Sequence, residues 1–380
     1  MIHRKFRADR LFNGTGFEPA GTVLVTTAAG EILDLLPQQE AGEDLEYIPG
    51  ILTPGWINTH CHLELSHMAG QIPPQSGMVP FLLGVLQGRH LRIAEQAAAM
   101  KKADTTMYAE GIVAVGDICN TTDSLAVKKT SPIRYHHFVE TSGFVPSGAG
   151  HRYTQAKKVW ESFDAIGSAS VVPHAPYSVS PELFQKIFSE FPAISTLHNQ
   201  ESTDENLFFE TGASRFRELF AAIGVSLDFF RPPGTSSLQA VLPLLRPVQK
   251  MILVHNTETS AADLQQLQEN NKATQYFFCL CPGANLYINN RLPPIDLLRQ
   301  QGCTLTLGTD SLASNHTLSL AAEIQLVQKY FPGIPLEEIL RWVTFNGAVA
   351  LGMEDKLGSF GKGKTPGMVQ FNNGKSKRLL

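Results

Sequence analysis

A chain of 380 residues with 43% hydrophobic and 17% charged residues has ample material for a buried core, in one large domain or two. Its 31 Lys and Arg against 35 Asp and Glu leave a net charge of −4, scattered along the chain, which excludes a basic nucleic-acid face and an acidic tail. No run of about 18 apolar residues offers a membrane span, the first residues lack the apolar core of a secretion signal, and five cysteines without CxxC pairs read as reduced thiols of a cytoplasmic protein.

Over the first 50 or so residues, Phe6, Leu11, Val23, Val25, Ile32 and Leu35 are broken by Asn13-Gly14-Thr15-Gly16 and Ala29-Gly30, the pattern of short strands and turns. From Ile51 the texture changes. Apolar runs at 51–60, 112–117, 133–140, 170–174, 194–198, 251–255, 275–281 and 304–310 alternate with helical stretches at 91–110, 181–190, 261–270 and 318–330. Continuously apolar strands separated by helices predict a parallel sheet covered on both faces. Eight of them predict closure into a (β/α)8 TIM-type barrel over residues 51–355. The tail, with Leu357-Gly358-Ser359-Phe360 and Met368-Val369-Gln370-Phe371, returns to strand-and-turn texture. Both chain ends, 1–50 and 356–380, are therefore expected to form one small β-sandwich domain.

A barrel of this kind places its reactive groups at the C-terminal ends of its strands. Here those ends read His60/His62, Asp117, Glu140, His174, His198, His255, Cys281 and Asp310. Residues i and i+2 of an extended strand point the same way, so His60 and His62 can share one ion while Cys61 points away. On its own a His-x-His pair reads as readily as two structural histidines. His198 and Asp310 at further strand ends strengthen the metal reading, because three imidazoles and a carboxylate leave a position for water.

Pro54-Gly55-x-Ile57-Asn58-x-His60-x-His62, Pro173-His174-Ala175-Pro176-Tyr177, His198-x-x-Glu201, His255 and Leu307-Gly308-Thr309-Asp310-Ser311 together resemble the amidohydrolase superfamily. The chain is most similar to its aminohydrolase branch, with guanine, cytosine, S-adenosylhomocysteine and aminofutalosine deaminases and triazine chlorohydrolases. The resemblance implies that His60, His62, His198 and Asp310 hold one divalent ion, zinc in preference to iron. The bridging lysine of two-metal relatives has no counterpart in Val171-Val172-Pro173-His174. It further implies that His255 and Asp310 orient and deprotonate the attacking water, and that His174 contacts substrate. Glu201 is expected to protonate the ring nitrogen and then the departing amine, as deamination requires; a solvated loop beside Asp204 and Glu205 is the competing reading.

The function so implied is hydrolytic deamination of an amino-substituted heterocycle by a metal-activated water, with release of ammonia. Hydrolysis of a cyclic amide or a ring chloride on the same scaffold is the alternative, and a non-catalytic relative is the third. A small molecule is the expected partner, with homo-oligomers common in the family. Glu64 and His67 either line the pocket or serve structure, and Asp117 and Glu140 either act or form ion pairs inside the barrel mouth. Arg89, Arg92, Arg134 and Arg152 offer cations to a substrate anion, with surface placement the simpler expectation. Cys119, Cys279, Cys281 and Cys303 read as apolar core residues.

Overall fold

The computed structural model describes residues 3–380 apart from Arg92 and Asn271, and leaves out the side chains of Ile93 and Asn270. Four strands open the chain: β1 (His3–Leu11), β2 (Thr22–Thr27), β3 (Ile32–Pro37) and β4 (Glu46–Pro54). Eight follow, separated by helices: β5 (Trp56–Cys61), β6 (Ile112–Cys119), β7 (Arg134–Thr141), β8 (Ala169–Pro173), β9 (Ile194–Asn199), β10 (Lys250–His255), β11 (Gln275–Leu280) and β12 (Thr304–Leu307). The hairpin of β13 (Met368–Asn372) and β14 (Lys375–Arg378) closes it.

The terminal strands form one six-stranded sheet in the order β14-β13-β4-β1-β2-β3, which corrects the expected sandwich. Phe6, Leu11, Leu24, Ile32, Leu52 and Met368 of this sheet gather in an apolar cluster of their own, while Val369 and Phe371 of β13 pack into the cluster of Trp56, Met107 and Ile112 on the barrel. The apolar run at 51–60 is also two strands rather than one. The break falls at Gly55, where a Cβ would lie 2.3 Å from Val113 Cγ1 and 2.4 Å from the Pro366 carbonyl; only glycine lets the chain pass from one sheet to the other here.

The eight middle strands are parallel, as their unbroken apolar patterns predict. Every residue of β5 and β6 is buried. Their hydrogen-bonded ladders fall into two four-stranded sheets, β5-β6-β7-β8 and β9-β10-β11-β12, rather than one closed ring. At one seam His198 N donates to His174 O (2.9 Å); at the other an isolated Cys61–Asp310 bridge is joined by Thr309 N and Asp310 N on His60 O (3.0 and 3.1 Å). Each seam therefore lies among the residues singled out by the sequence. The interior is filled by Ile57, Ala114, Phe138, Val172, Ile252 and Phe277, with Cys279 and Cys281 among them.

Helix signals behave as expected where local chemistry is strong. Ser180 accepts from Leu183 N (3.3 Å) and Pro181 occupies the first turn of the Pro181–Glu190 helix. The two long connections carry extra helices: Met78–Gly88 after β5, and Phe216–Ala222 within the β9–β10 connection. Leu65, Met78, Phe81, Phe208, Phe216, Leu219 and Phe220 join them in an apolar cluster that roofs the barrel mouth. No described helix is long and apolar enough to cross a membrane.

Candidate metal and acid–base centre

The His-x-His pair does not sit wholly on a strand. β5 ends at Cys61, and His62 turns the chain (φ −121°, ψ 79°) into the short Leu63–Met68 3-10 helix. The two rings still converge, with His60 Nε2 and His62 Nε2 3.2 Å apart. His198 Nε2 lies 3.3 Å from His62 Nε2, and Asp310 Oδ1 lies 3.6 and 3.3 Å from those of His60 and His62. Four donors each about 2.1 Å from one point are separated by roughly 3 to 3.5 Å. The three histidines form one ligand group, Asp310 Oδ1 faces two of them, and all four residues are buried, a set whose chemistry suits one divalent ion.

Orientation of these donors comes from neighbouring hydrogen bonds. His198 Nδ1 faces the His174 carbonyl at 3.0 Å and Glu140 Oε2 at 3.4 Å, which turns Nε2 toward the other ligands. Ser314 Oγ donates to Asp310 Oδ2 (2.7 Å) and leaves Oδ1 facing the histidines. Burial pushes the Asp310 carboxyl up, but His62, His255 and His198 and the Ser314 hydroxyl outweigh it and hold it below the usual carboxylate range. Burial lowers His60 and His62 well below the usual imidazole value, so both are neutral bases suited to a cation.

Glu201, His255 and Asp310 bring ligand-type atoms within 4.8 Å of one another. His255 Nε2 is 3.5 Å from Glu201 Oε1. Glu201 and His255 are thus neighbours. Burial, then Asp310 and Glu205, raise Glu201 well above the ordinary glutamate value. Asn285 Nδ2 lies 3.3 Å from His255 Nδ1 and also donates to Thr257 Oγ1 at 3.1 Å. With that amide as donor, the neutral imidazole carries its proton on Nε2, which faces the site without a hydrogen-bond partner.

Left-handed backbone concentrates here. Gln200, His255, Asn256 and Asp310 have φ of 48°, 74°, 58° and 57°, a conformation that costs a non-glycine residue about 1 to 3 kcal/mol. Glu205 holds one of these turns: it accepts from Gln200 N (2.9 Å), Glu201 N (3.1 Å) and Ser237 Oγ (2.7 Å) and is fully buried. It had been grouped with the charged residues of a solvated loop. The Ser236–Ser237 pair that opens a helix in the β9–β10 connection was its available signal, since a buried partner for it lies 32 positions away.

A cavity of about 220 Å³ opens above the centre, lined on its polar side by His62, Glu140, His174, His198, Glu201 and Asp310. Its other wall is apolar, formed by Met78, Phe81, Val85, Leu219 and Phe220. His174 reaches this cavity with Nδ1 held by Ser178 Oγ at 2.7 Å, and burial lowers it to about 4. Glu140 lines it too, with Oε1 accepting from Asn120 Nδ2 at 2.9 Å.

The remaining candidates divide. Glu64 is buried and paired with Arg89 (2.8 Å), and burial raises it to about 7 despite that partner. Arg89 itself lines the cavity, contrary to its expected surface position. His67 bridges the Glu64 and Arg89 carbonyls (both 3.2 Å) and lies outside the cavity lining. Asp117 is an interior ion pair with Lys128 (2.5 Å) that also accepts from Leu63 N (2.8 Å), next to His62. Arg134 and Arg152 are exposed, Arg152 beside a polar annex that shares Arg89 and Glu140 with the main cavity. Arg92 lies outside the described residues.

The sequence model of the amidohydrolase family matches residues 51–377. A 5-methylthioadenosine/S-adenosylhomocysteine deaminase of Teredinibacter turnerae is 26% identical over 351 residues, 86% of this chain and 72% of its own. An aminodeoxyfutalosine deaminase of Deinococcus radiodurans is 26% identical over 368 residues, 92% and 86% of the two chains. Among solved structures, the aminofutalosine deaminase of Helicobacter pylori in complex with methylthio-coformycin superposes with a TM-score of 0.80 at 20% identity, over 97% of this chain and 93% of that one. That likeness shows the fold, a TIM-type barrel with mixed α/β content.

Proposed function

The chain belongs to the amidohydrolase family, and from that premise we propose that it is a metal-dependent aminohydrolase, which deaminates an aminopurine or adenosine derivative. The names of its relatives support the substrate class. One observation carries the reaction: a buried carboxyl, Glu201, faces His255 and Asp310 beside three converging histidine donors. Chloride, the alternative leaving group, needs no proton, so only an amine calls on such a carboxyl twice, at the ring nitrogen and at the departing group.

His60, His62, His198 and Asp310 are the residues that would hold the ion, one per chain, because β8 ends in Val172-Pro173 and offers no bridging lysine. We take the ion to be zinc, with iron the alternative that elemental analysis separates. Bound there, it would supply hydroxide at neutral pH by lowering the pKa of water to about 7.

The chain's own groups divide the rest of the work. Asp310, held ionised, accepts the proton of the attacking water. His255 presents Nε2–H and so orients the oxygen as a donor, rather than removing its proton. Glu201 in its protonated form gives its proton to the ring nitrogen as the adjacent carbon becomes tetrahedral. It then passes the second proton of the attacking oxygen to the amine, since NH₂⁻ is too basic to leave, and Asp310 returns the first proton to Glu201. The ring keeps the oxygen, and ammonia departs. His174 contacts the bound ring.

We also read the chain as a small β domain of residues 1–50 and 356–380 around a barrel of 51–355. The six-stranded sheet drawn from both ends supports this, although β4 continues that sheet to Pro54 and puts the junction at Gly55. The free cysteines support a reducing, cytoplasmic location.

The test is an ammonia-release screen of the metal-loaded protein over aminopurines, adenosine derivatives, cytosine and aminotriazines. Release from a purine or nucleoside is expected. Release from none of these compounds overturns the assignment.

A further inference from the structure

The proposed deamination gives the Tyr177 hydroxyl no task. Tyr177 is 2% exposed and lines the cavity with His174 and Glu201. Its ring is fixed from two sides, stacked on Phe216 (4.2 Å, 20°) and edge-on to His174 (5.7 Å, 88°). The direction of the hydroxyl is thereby set by packing. Yet its oxygen finds no hydrogen-bond partner in the protein. Buried hydroxyls are almost always paired in native structures, and the nearby roof of Leu65, Met78, Phe81 and Phe220 offers no acceptor. Burial also raises the phenol above its ordinary value, so it stays a neutral O–H donor at physiological pH.

We propose that the Tyr177 hydroxyl is a substrate-binding group, donating a hydrogen bond to an acceptor on the bound amino-heterocycle, either a ring nitrogen or a sugar oxygen. This rests on the deaminase reading and adds a determinant of specificity to it. An apolar roof with one fixed donor selects ligands that carry an acceptor at that height above the metal donors, and disfavours those that place a methyl group there. A phenylalanine keeps both ring contacts, so the substitution isolates the hydroxyl from any structural role of the ring.

The experiment compares metal-loaded wild type and Tyr177→Phe with adenine, adenosine and 5′-methylthioadenosine. Equal melting temperature and metal content are expected, with kcat/KM about tenfold lower and most of the change in KM. A loss confined to the nucleosides places the acceptor on the sugar, and a loss on all three places it on the ring. Ammonia release by the variant within twofold of wild type on every substrate overturns the proposal and leaves the deaminase reading standing. If wild type deaminates none of the three, the wider ammonia-release screen decides that reading. Calorimetric binding of the same compounds then decides for Tyr177: weaker binding by the variant supports it, and equal binding or none by either protein overturns it.

Discussion

Asn58 in β5 and Thr309 beyond the end of β12 exchange two hydrogen bonds across 251 positions of sequence. Asn58 Nδ2 donates to Thr309 Oγ1 at 2.7 Å, and Thr309 N donates to Asn58 Oδ1 at 3.2 Å. The same Asn58 oxygen accepts from His60 N at 3.3 Å. One side chain thus ties the backbone of His60 to that of Thr309, the residue before Asp310, across a seam that has no continuous ladder. Asn58→Ala is expected to weaken metal binding by about 10- to 100-fold, as loss of an orienting partner typically does. Competition with a chelator measures this. An unchanged affinity would show that the seam needs no such clamp.

Purified protein should carry about one zinc or iron per chain. Asp310→Asn should abolish turnover while metal content falls only in part, because three histidines remain. Elemental analysis together with ammonia release separates the two effects. Two ions per chain would instead require a bridging ligand that β8 does not provide. Wild-type turnover in Asp310→Asn would remove this carboxylate from the mechanism.

Glu201→Gln preserves size and keeps the four metal donors intact but cannot shuttle a proton. It should retain its ion and bind substrate, yet release ammonia at least about a hundredfold more slowly. Turnover near the wild-type rate in a metal-replete variant would point to a leaving group that needs no proton.

Glu205 accepts both the Gln200 and Glu201 amides at a left-handed turn. Glu205→Ala leaves two buried N–H groups without partners, each of which costs about 1 to 3 kcal/mol. The variant should therefore unfold with at least about 2 kcal/mol less stability in urea. Its kcat should fall too, because Glu201 loses its fixed backbone. A melt and a rate both like wild type would contradict the role.

Inside the barrel, Lys128 is the cation that pairs with Asp117. Lys128→Met strands that buried carboxylate, and removing one partner of such a pair typically costs about 3 to 5 kcal/mol. Replacing both residues, Lys128→Met with Asp117→Leu, should recover much of the loss in denaturant unfolding. Metal affinity should fall only in the double variant, since Leu63 N beside His62 would then have lost its acceptor.

The periodicity and end residues of the eight apolar runs determined the parallel βα architecture and the chemistry at its mouth. Strand pattern and strand-end histidines are local properties, written in consecutive residues. The layering of the terminal strands was decided only by the tertiary structure. An alternating strand announces that one face is buried, not what covers it; here Phe6, Leu24 and Leu52 cluster within the terminal segments themselves, while Phe371 meets Trp56 of the barrel. The same distinction holds at the site. His60, His62, His198 and Asp310 were legible because each ends a strand or its turn, and a barrel gathers strand ends at one mouth. The closeness of Glu201 to His255, the burial of Glu205, the inward turn of Arg89 and the unpartnered hydroxyl of Tyr177 were not legible. Each depends on how the Met78–Gly88 and Phe216–Ala222 helices and the left-handed turns fold back over the mouth. Those arrangements follow from contacts between segments far apart in sequence, and from the requirement that buried polar atoms find partners in three dimensions.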